Sequence, residues 1–144
     1  MKKTAEGLLR DWLRSTMGDV SNIDWVEPSR GSSVGLPDCN LRFGNVTIPV
    51  ELKAWKVIKG QIKGEMRPAQ IRYHFMAARE KRRTAILYSI PSAVGFDVFL
   101  LPGKYVPLAD KVVNREASQP VGTKELCDYK LLSRTILSSS FWEQ

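Results

Sequence analysis

The stretch that decides the fold is GLPDCNLRFGNVTIPVELK, residues 35–53. Phe43 and Val46 flank a Gly44-Asn45 dipeptide, and a glycine in the first position of a two-residue loop suits the primed turns that match strand twist. We therefore predict a β-hairpin in which Phe43 and Val46 face each other.

The predicted register brings two acidic residues together. Counting outward from the turn places Asp38 opposite Glu51 in a pair of the closer, non-hydrogen-bonded kind, and Pro49 opposite Asn40. The two acids would then have Cβ atoms roughly 4.5–5.5 Å apart, where like charges repel. A cation between them would remove that repulsion, so the pairing predicts a divalent-metal site.

Lys53 belongs to the same predicted site. Side chains two residues apart on a strand share a face, so Glu51 and Lys53 point the same way, and Val50, Leu52 and Ala54 point toward the core. The alternative is a surface hairpin in which the lysine merely forms a weak ion pair with the two acids.

These residues resemble a known superfamily. Asp38, preceded by Gly35 and Pro37, and the Glu51-x-Lys53 pair resemble the PD-(D/E)xK nucleases of the restriction-endonuclease-like fold. Within it, the chain is most similar to archaeal Holliday junction resolvases and virus-type replication and repair nucleases, because RPAQIRYHF, residues 67–75, follows on a predicted helix. The resemblance covers about residues 1–101.

The resemblance implies a role for each matching residue. Asp38 and Glu51 would be catalytic acids that bind Mg²⁺ or Mn²⁺, and the carbonyl of Leu52 would be a further ligand. Lys53 would orient the attacking water or stabilise the transition state, and Gln70 would lie beside the active site. Hard oxygen ligands of this kind suit phosphodiester hydrolysis.

Glu6 has two interpretations. It lies one turn before Arg10 on a helix predicted for residues 4–17, whose apolar stripe contains Leu8, Leu9, Trp12 and Leu13. An exposed ion pair with Arg10 explains it without any function. The resemblance instead implies a catalytic acid that completes the metal site.

Five further residues are predicted to bind DNA. Arg30, Ser32 and Ser33 lie in a glycine- and serine-rich loop before Asp38 and offer donors suited to phosphate oxygens. The loop is equally typical of a solvated turn. Arg67 and Arg72, near the start of the second helix, extend the predicted DNA-binding surface.

The order of the remaining elements indicates one α/β domain, and the resemblance implies that it has the restriction-endonuclease-like fold, with a central mixed β-sheet flanked by helices. Strands are expected at residues 22–26, 84–90 and 95–101, and a helix at residues 67–83. Residues 59–66 form either a flap beside the cleft or an ordinary loop. Residues 102–144 form an extension of unknown role, with a loosely helical pattern in residues 123–137.

Composition restricts the partners. Of the 144 residues, 43% are hydrophobic, which is enough for a core, and 22 Lys and Arg against 15 acids give a net charge of +7 that favours a polyanion. No apolar run is long enough for a membrane span, so we expect a cytoplasmic protein, in the host cytoplasm if it is viral. Cys39 and Cys127 are expected to be reduced thiols. His74, the sole histidine, excludes His-pair metal sites and is expected to be half-buried.

The opposed acids and the basic charge therefore predict a Mg²⁺-dependent DNA endonuclease, and the resemblance implies selectivity for structures such as junctions, flaps or nicks in recombination, replication or repair. A non-catalytic DNA-binding module on the same fold is the alternative. An RNA-binding protein is disfavoured because no RNP-like aromatic motif is present. Relatives include homodimers and monomers, so a homodimer is one of two arrangements that the resemblance allows.

Overall fold

The computed structural model describes residues 2–26 and 35–144. The first element is helix α1, Ala5–Met17, which is capped by Thr4 because the Thr4 hydroxyl accepts a hydrogen bond from the Gly7 amide at 3.0 Å. Leu9, Trp12 and Leu13 are buried, but Leu8 is 38% exposed. The buried face continues through Thr16 and Met17, so Leu8 lies at its edge and its inclusion in the stripe was wrong.

The predicted hairpin is confirmed in its register. Strands β1 (Ile23–Trp25), β2 (Cys39–Phe43) and β3 (Val46–Ala54) pair antiparallel, with Phe43 opposite Val46 and Asn40 opposite Pro49. The turn has a positive φ of 64° at Gly44 only, which is the pattern of a type II′ turn. The local turn chemistry thus fixed which residues face each other.

The chain then builds a second small sheet, one helix and the other half of the main sheet. In chain order the elements are β4 (Lys56–Ile58), β5 (Gln61–Lys63), α2 (Pro68–Arg79), β6 (Ala85–Ser92), β7 (Gly95–Pro102), a 3-10 turn (Gly103–Tyr105), β8 (Gln119–Thr123), α3 (Tyr129–Ile136) and α4 (Ser139–Glu143).

The main sheet is mixed. Its strand order is β1-β2-β3-β6-β7-β8; β3 and β6 are parallel, and the other neighbours in this sheet are antiparallel. Residues of α1, α3 and α4 pack on one face with Val50 and Leu52, whereas Ile71 of α2 packs against a separate cluster on the other face. The predicted α/β class, with a central mixed sheet flanked by helices, is confirmed. Ala54, expected in the core, is only half-buried.

The segment at residues 59–66 is neither a featureless loop nor a detached flap. It contains β5, which pairs with β4 through a turn in which Lys59 and Gly60 both have positive φ, as in a type I′ turn. Ile62 is 1% exposed and belongs to the core cluster that includes Trp55. This buried side chain anchors the small hairpin to the domain.

Helix α2 is shorter than predicted. It ends at Arg79 and not at residue 83, and its buried residues are Gln70, His74 and Ala77, while Phe75 is 52% exposed. His74 is fully buried, so the expectation of a half-buried residue was wrong. Its Nδ1 lies 2.8 Å from the Thr84 hydroxyl, and burial lowers the pKa of the imidazole to about 4, which keeps the ring neutral.

Residues 102–144 are part of the domain core. Strand β8 extends the sheet beside β7, and α3 and α4 contribute Leu132, Ile136, Phe141 and Trp142 to the cluster that holds α1. The predicted helical pattern began too early, since Leu126 is 50% exposed and α3 starts after its cap residue Asp128. Within residues 2–26 and 35–144, the helices are too short or too polar to cross a bilayer.

Candidate active site

A cleft of about 480 Å³ opens where β2 and β3 meet the first turn of α2. The structure brings together residues from α1, the hairpin, α2 and the loops before α2 and before β8. The cleft is lined by Glu6, Asp38, Glu51, Lys53, Glu65, Met66, Arg67, Gln70 and Lys111.

Asp38 and Glu51 lie together, as the hairpin register requires. Asp38 precedes β2, and its Oδ2 accepts a hydrogen bond from the Leu52 amide at 2.8 Å. Glu51 is only 2% exposed, and the Asp38 charge acts on its carboxyl. Burial and then the Asp38 charge raise the pKa of Glu51 to about 8. This carboxyl therefore binds a proton at neutral pH when no other cation approaches it.

Gln70 and Lys53 surround one oxygen of Glu51. The Gln70 amide nitrogen donates to Glu51 Oε1 at 2.8 Å, and Lys53 Nζ lies 3.9 Å from the same oxygen. Gln70 is itself held, since its Oε1 accepts from the Arg67 amide at 3.0 Å. The other oxygen, Glu51 Oε2, is buried and has no hydrogen-bond partner among the described residues. One acceptor of the acid is thus left free.

The backbone geometry at residue 35 explains why a glycine precedes the Pro37-Asp38 pair. Gly35 has a φ of 84°, and a Cβ at this position would lie 2.7 Å from the carbonyl oxygen of Ala69. The backbone before Asp38 therefore packs directly on the first turn of α2, the turn that carries Gln70. The glycine is a requirement of packing at the site.

Glu6 reaches the cleft from α1. Partial burial, and then the Asp38 charge, raise the pKa of Glu6 above its usual value, so the two acids are electrostatic neighbours. The guanidinium of Arg10 lies 4.1 Å from the ring centre of Trp25, and within the described part of the chain no ion pair joins it to Glu6. The position agrees with the site interpretation, and the catalytic role stays a prediction.

The structure describes two of the five predicted DNA-binding residues. Arg67 lines the cleft and is exposed, and Arg72 is exposed on α2 one turn further along. Arg30, Ser32 and Ser33 lie outside the described residues. DNA contact by all five stays a prediction.

The sequence did not predict that Glu65 and Lys111 line the cleft. Lys111 Nζ lies 3.4 Å from Glu65 Oε1, and the Lys111 carbonyl accepts a hydrogen bond from the Gly64 amide at 2.7 Å. Glu65 comes from the segment after β5, and Lys111 from the loop before β8. Neither belongs to a motif, so only the packing of distant segments reveals them.

The donor set fits a small, hard divalent cation that keeps several waters. Among residues 2–26 and 35–144, no group of three or more His, Cys, Asp and Glu side chains is spaced to hold a metal. Asp38 and Glu51 provide two carboxylates, and Mg²⁺ typically takes only one or two from the protein. The unpartnered Glu51 Oε2 and the raised pKa of the same carboxyl are what a cation at this position would satisfy.

Comparisons with known proteins give a limited result. No family model matches the chain, and no curated protein matches it. One similar solved structure is that of Hjc from Archaeoglobus fulgidus, a Holliday junction resolvase from an archaeal hyperthermophile. The match has 13% sequence identity and a TM-score of 0.47, and covers 78% of this chain and 85% of that chain. At this level the match assigns neither family nor activity.

Proposed function

We propose that this protein is a metal-dependent nuclease that hydrolyses phosphodiester bonds in DNA. The observation that carries the proposal is the buried carboxyl of Glu51, which meets Asp38 and shares a strand face with Lys53 in an open cleft. The resemblance of these residues to the PD-(D/E)xK motif supports the same activity.

The carboxylates of Asp38 and Glu51 would hold Mg²⁺ or Mn²⁺, together with the Leu52 carbonyl. The Leu52 amide already donates to Asp38, and the N–H and C=O of one strand residue leave the strand on the same side. When bound, the ion would acidify a coordinated water and neutralise charge on the scissile phosphate.

Gln70, Lys53 and Arg67 would position the reacting groups and stabilise negative charge. Gln70 fixes the orientation of Glu51 through a 2.8 Å hydrogen bond, which leaves Oε2 directed away from that contact. Lys53 places an ammonium group beside the acids, where it can orient the attacking water and stabilise negative charge on the phosphoryl oxygens. Arg67, exposed at the cleft, is suited to a phosphate next to the cleaved bond.

Cleavage by a Lys53→Ala variant tests the assignment. We expect wild-type protein to cut DNA only when Mg²⁺ or Mn²⁺ is present, and the variant to lose at least about 100-fold in rate because transition-state stabilisation is lost. DNA binding measured in EDTA should change little. Lys130→Ala, which removes an exposed lysine of α3, is the matched control and should cut normally.

Two outcomes would overturn the proposal. A Lys53→Ala variant that cuts at the wild-type rate would exclude the assigned site. Salt-sensitive DNA binding by the wild type without cleavage in any divalent metal would instead identify a non-catalytic DNA-binding module.

Selectivity for branched DNA is part of the proposal and rests on the motif resemblance alone. Rates on four substrates of equal length, a four-way junction, a flap, a nicked duplex and a plain duplex, test it. We expect the junction to be cut at least tenfold faster than the plain duplex, and equal rates would reject selectivity. Sedimentation of the same samples tests the homodimer.

A further inference from the structure

A second cavity, of about 510 Å³, lies at the opposite end of α2 from the cleft, and we call it the α2-end pocket. Four of its residues are cationic and one, Glu143, is acidic. It is lined by Ala78, Lys81, Arg82, Arg83, Thr84, Pro102, Gly103, Lys104, Trp142 and Glu143.

Most of this positive charge is not neutralised by acids. Arg82 pairs with Glu80 at 2.8 Å, but within the described part of the chain Lys81, Arg83 and Lys104 form no ion pair within 4 Å. A cationic run after a helix is favourable to the helix dipole. That effect does not account for Lys104, which comes from the turn after β7.

Trp142 holds two of the cations in place. The Arg83 guanidinium lies 5.4 Å from its ring centre, and Lys104 Nζ donates to its carbonyl oxygen at 2.6 Å. Trp142 is itself buried, and its indole nitrogen donates to the Ile136 carbonyl at 2.8 Å. The Trp142 ring thus positions Arg83 and the Trp142 carbonyl positions Lys104, and both cations retain further N–H donors for a ligand.

The floor of the pocket is tightly packed. A Cβ at Gly103 would lie 1.9 Å from the Thr84 hydroxyl and 2.8 Å from His74 Nδ1. The next residue, Lys104, lines the same pocket as Lys81 and Arg83. The pocket is thus a built concavity formed by three segments that are distant in sequence.

We propose that the α2-end pocket binds the phosphodiester backbone of the DNA that occupies the cleft. Twelve helical residues in α2 rise about 18 Å, and phosphates along one strand of B-DNA recur about every 3.4 Å. The pocket would therefore contact the backbone about five nucleotides from the position of cleavage. The choice of DNA and this spacing rest on the proposed function, whereas the affinity for phosphate groups does not.

Charge reversal in the pocket tests the proposal. Binding of the Lys81→Glu/Arg83→Glu variant to a 20-base-pair duplex is measured by fluorescence anisotropy in EDTA over a range of salt concentrations. We expect Kd to rise at least tenfold and the slope of log K against log salt to fall in magnitude by about 2, because two phosphate contacts are lost.

The control is Lys124→Glu/Lys130→Glu, which makes the same change in net charge at two exposed residues outside the pocket. We expect its Kd to rise less than about threefold, because only the long-range field changes. Equal weakening by the two variants would reject the pocket. If the pocket variant does not fold, Lys81→Gln/Arg83→Gln replaces it, with a control bearing Gln at residues 124 and 130.

Substrate length separates the pocket from the cleft. On a DNA hairpin with a stem of four base pairs, too short to reach both, we expect the pocket variant to bind less than about threefold more weakly than wild type, because contacts to the cleft and to the pocket no longer add. An equal loss of affinity on short and long DNA would overturn the proposed spacing. The proposal would also fail if inorganic phosphate at millimolar concentration bound in the pocket while the variant bound long DNA as tightly as wild type. Because binding is measured without metal, a protein that cuts nothing would refute the nuclease and leave this proposal standing.

Discussion

Glu51 loses nearly all its contact with water on folding, and the negative charge of Asp38 lies close enough to act on its carboxyl. An ordinary pKa would leave the Glu51 carboxyl charged at neutral pH, and the low exposure of Glu51 makes that state unfavourable. Stability in the absence of metal should therefore depend on whether this one side chain carries a proton.

The variant Glu51→Gln should stabilise the metal-free protein at alkaline pH. The pKa of Glu51 is about 8 in the folded state and near 4.5 when unfolded, so the folded form holds the proton more tightly. The contribution of Glu51 to the free energy of unfolding therefore falls as pH rises from about 4.5 to about 8. Thermal unfolding in EDTA should show the variant several degrees more stable at pH 9 and equal to wild type at pH 4.

Adding 10 mM Mg²⁺ completes the comparison. A cation that binds only the folded state raises the melting temperature of wild type, and removal of the charged ligand should abolish most of that shift in Glu51→Gln. A variant that is less stable than wild type at pH 9, or gains the full shift with Mg²⁺, would contradict this account of Glu51.

Gly35→Ala should affect both stability and activity. The new Cβ would collide with the Ala69 carbonyl, and the positive φ adds strain, so we expect a loss of about 1–3 kcal/mol in the free energy of unfolding and a displaced Asp38. Gly44→Ala is the control, because it also has a positive φ but open space around it. Urea unfolding should show both losses, and cleavage should fall at least tenfold in Gly35→Ala only. Equal activity in the two variants would disprove the positioning role.

Among the helices and strands, those whose bounds depend on a few neighbouring residues were predicted well from the sequence. The Gly44 turn fixes the hairpin register, and the Thr4 cap fixes the start of α1, because each depends on a few neighbouring residues. The end of α2 was placed too late since residues 81–83 are good helix formers, whereas Lys81 adopts a φ of 59° that ends the helix.

Strand β8 was not predicted because Pro120 and Gly122 are typical of loops. In the structure β8 is the last strand of the sheet and has β7 as its one neighbour among the described strands, a position in which a proline is tolerated. Its pairing partner lies about twenty residues away, so no local pattern reveals it. The place of Lys111 in the cleft was not predicted either, because it also depends on packing between segments distant in sequence.

The contact between α1 and β8 gives a prediction at this scale. Trp12 Nε1 donates to the carbonyl oxygens of Thr123 and Leu126 at 2.9 and 3.1 Å. Trp12→Phe removes these bonds and should lower the free energy of unfolding by about 1–3 kcal/mol. Trp25→Phe, which changes a half-buried tryptophan, should cost less than half as much in the same urea titration. A larger loss in the control would show that ring packing dominates.

For the whole molecule, residues 102–144 complete the core that supports the site. They supply Leu132, Ile136, Phe141 and Trp142 to the cluster around α1, and α1 carries Glu6 to the cleft. The proximity of the motif residues was predictable from the sequence because they lie within one hairpin and one helix turn. The contribution of residues 102–144 to the core was not predictable, because it depends on pairing between segments that are distant in sequence.

A chain that ends after residue 101 should therefore fail to fold cooperatively. It would leave the apolar faces of α1 and β7 exposed to water, which the remaining residues cannot cover. Circular dichroism and gel filtration should show a broad or absent transition and aggregation. A truncated chain with a sharp transition near the wild-type temperature would show that the first 101 residues form an independent domain.

The two cysteines differ in a way that has a practical consequence. Cys39 is fully buried, and burial raises the pKa of its thiol to about 12, whereas Cys127 is exposed near the start of α3. An alkylating dye reacts with an accessible thiolate and so should attach to Cys127 alone under native conditions. The natural sequence thus carries one attachment point for a fluorophore, without any substitution near the acids of the cleft.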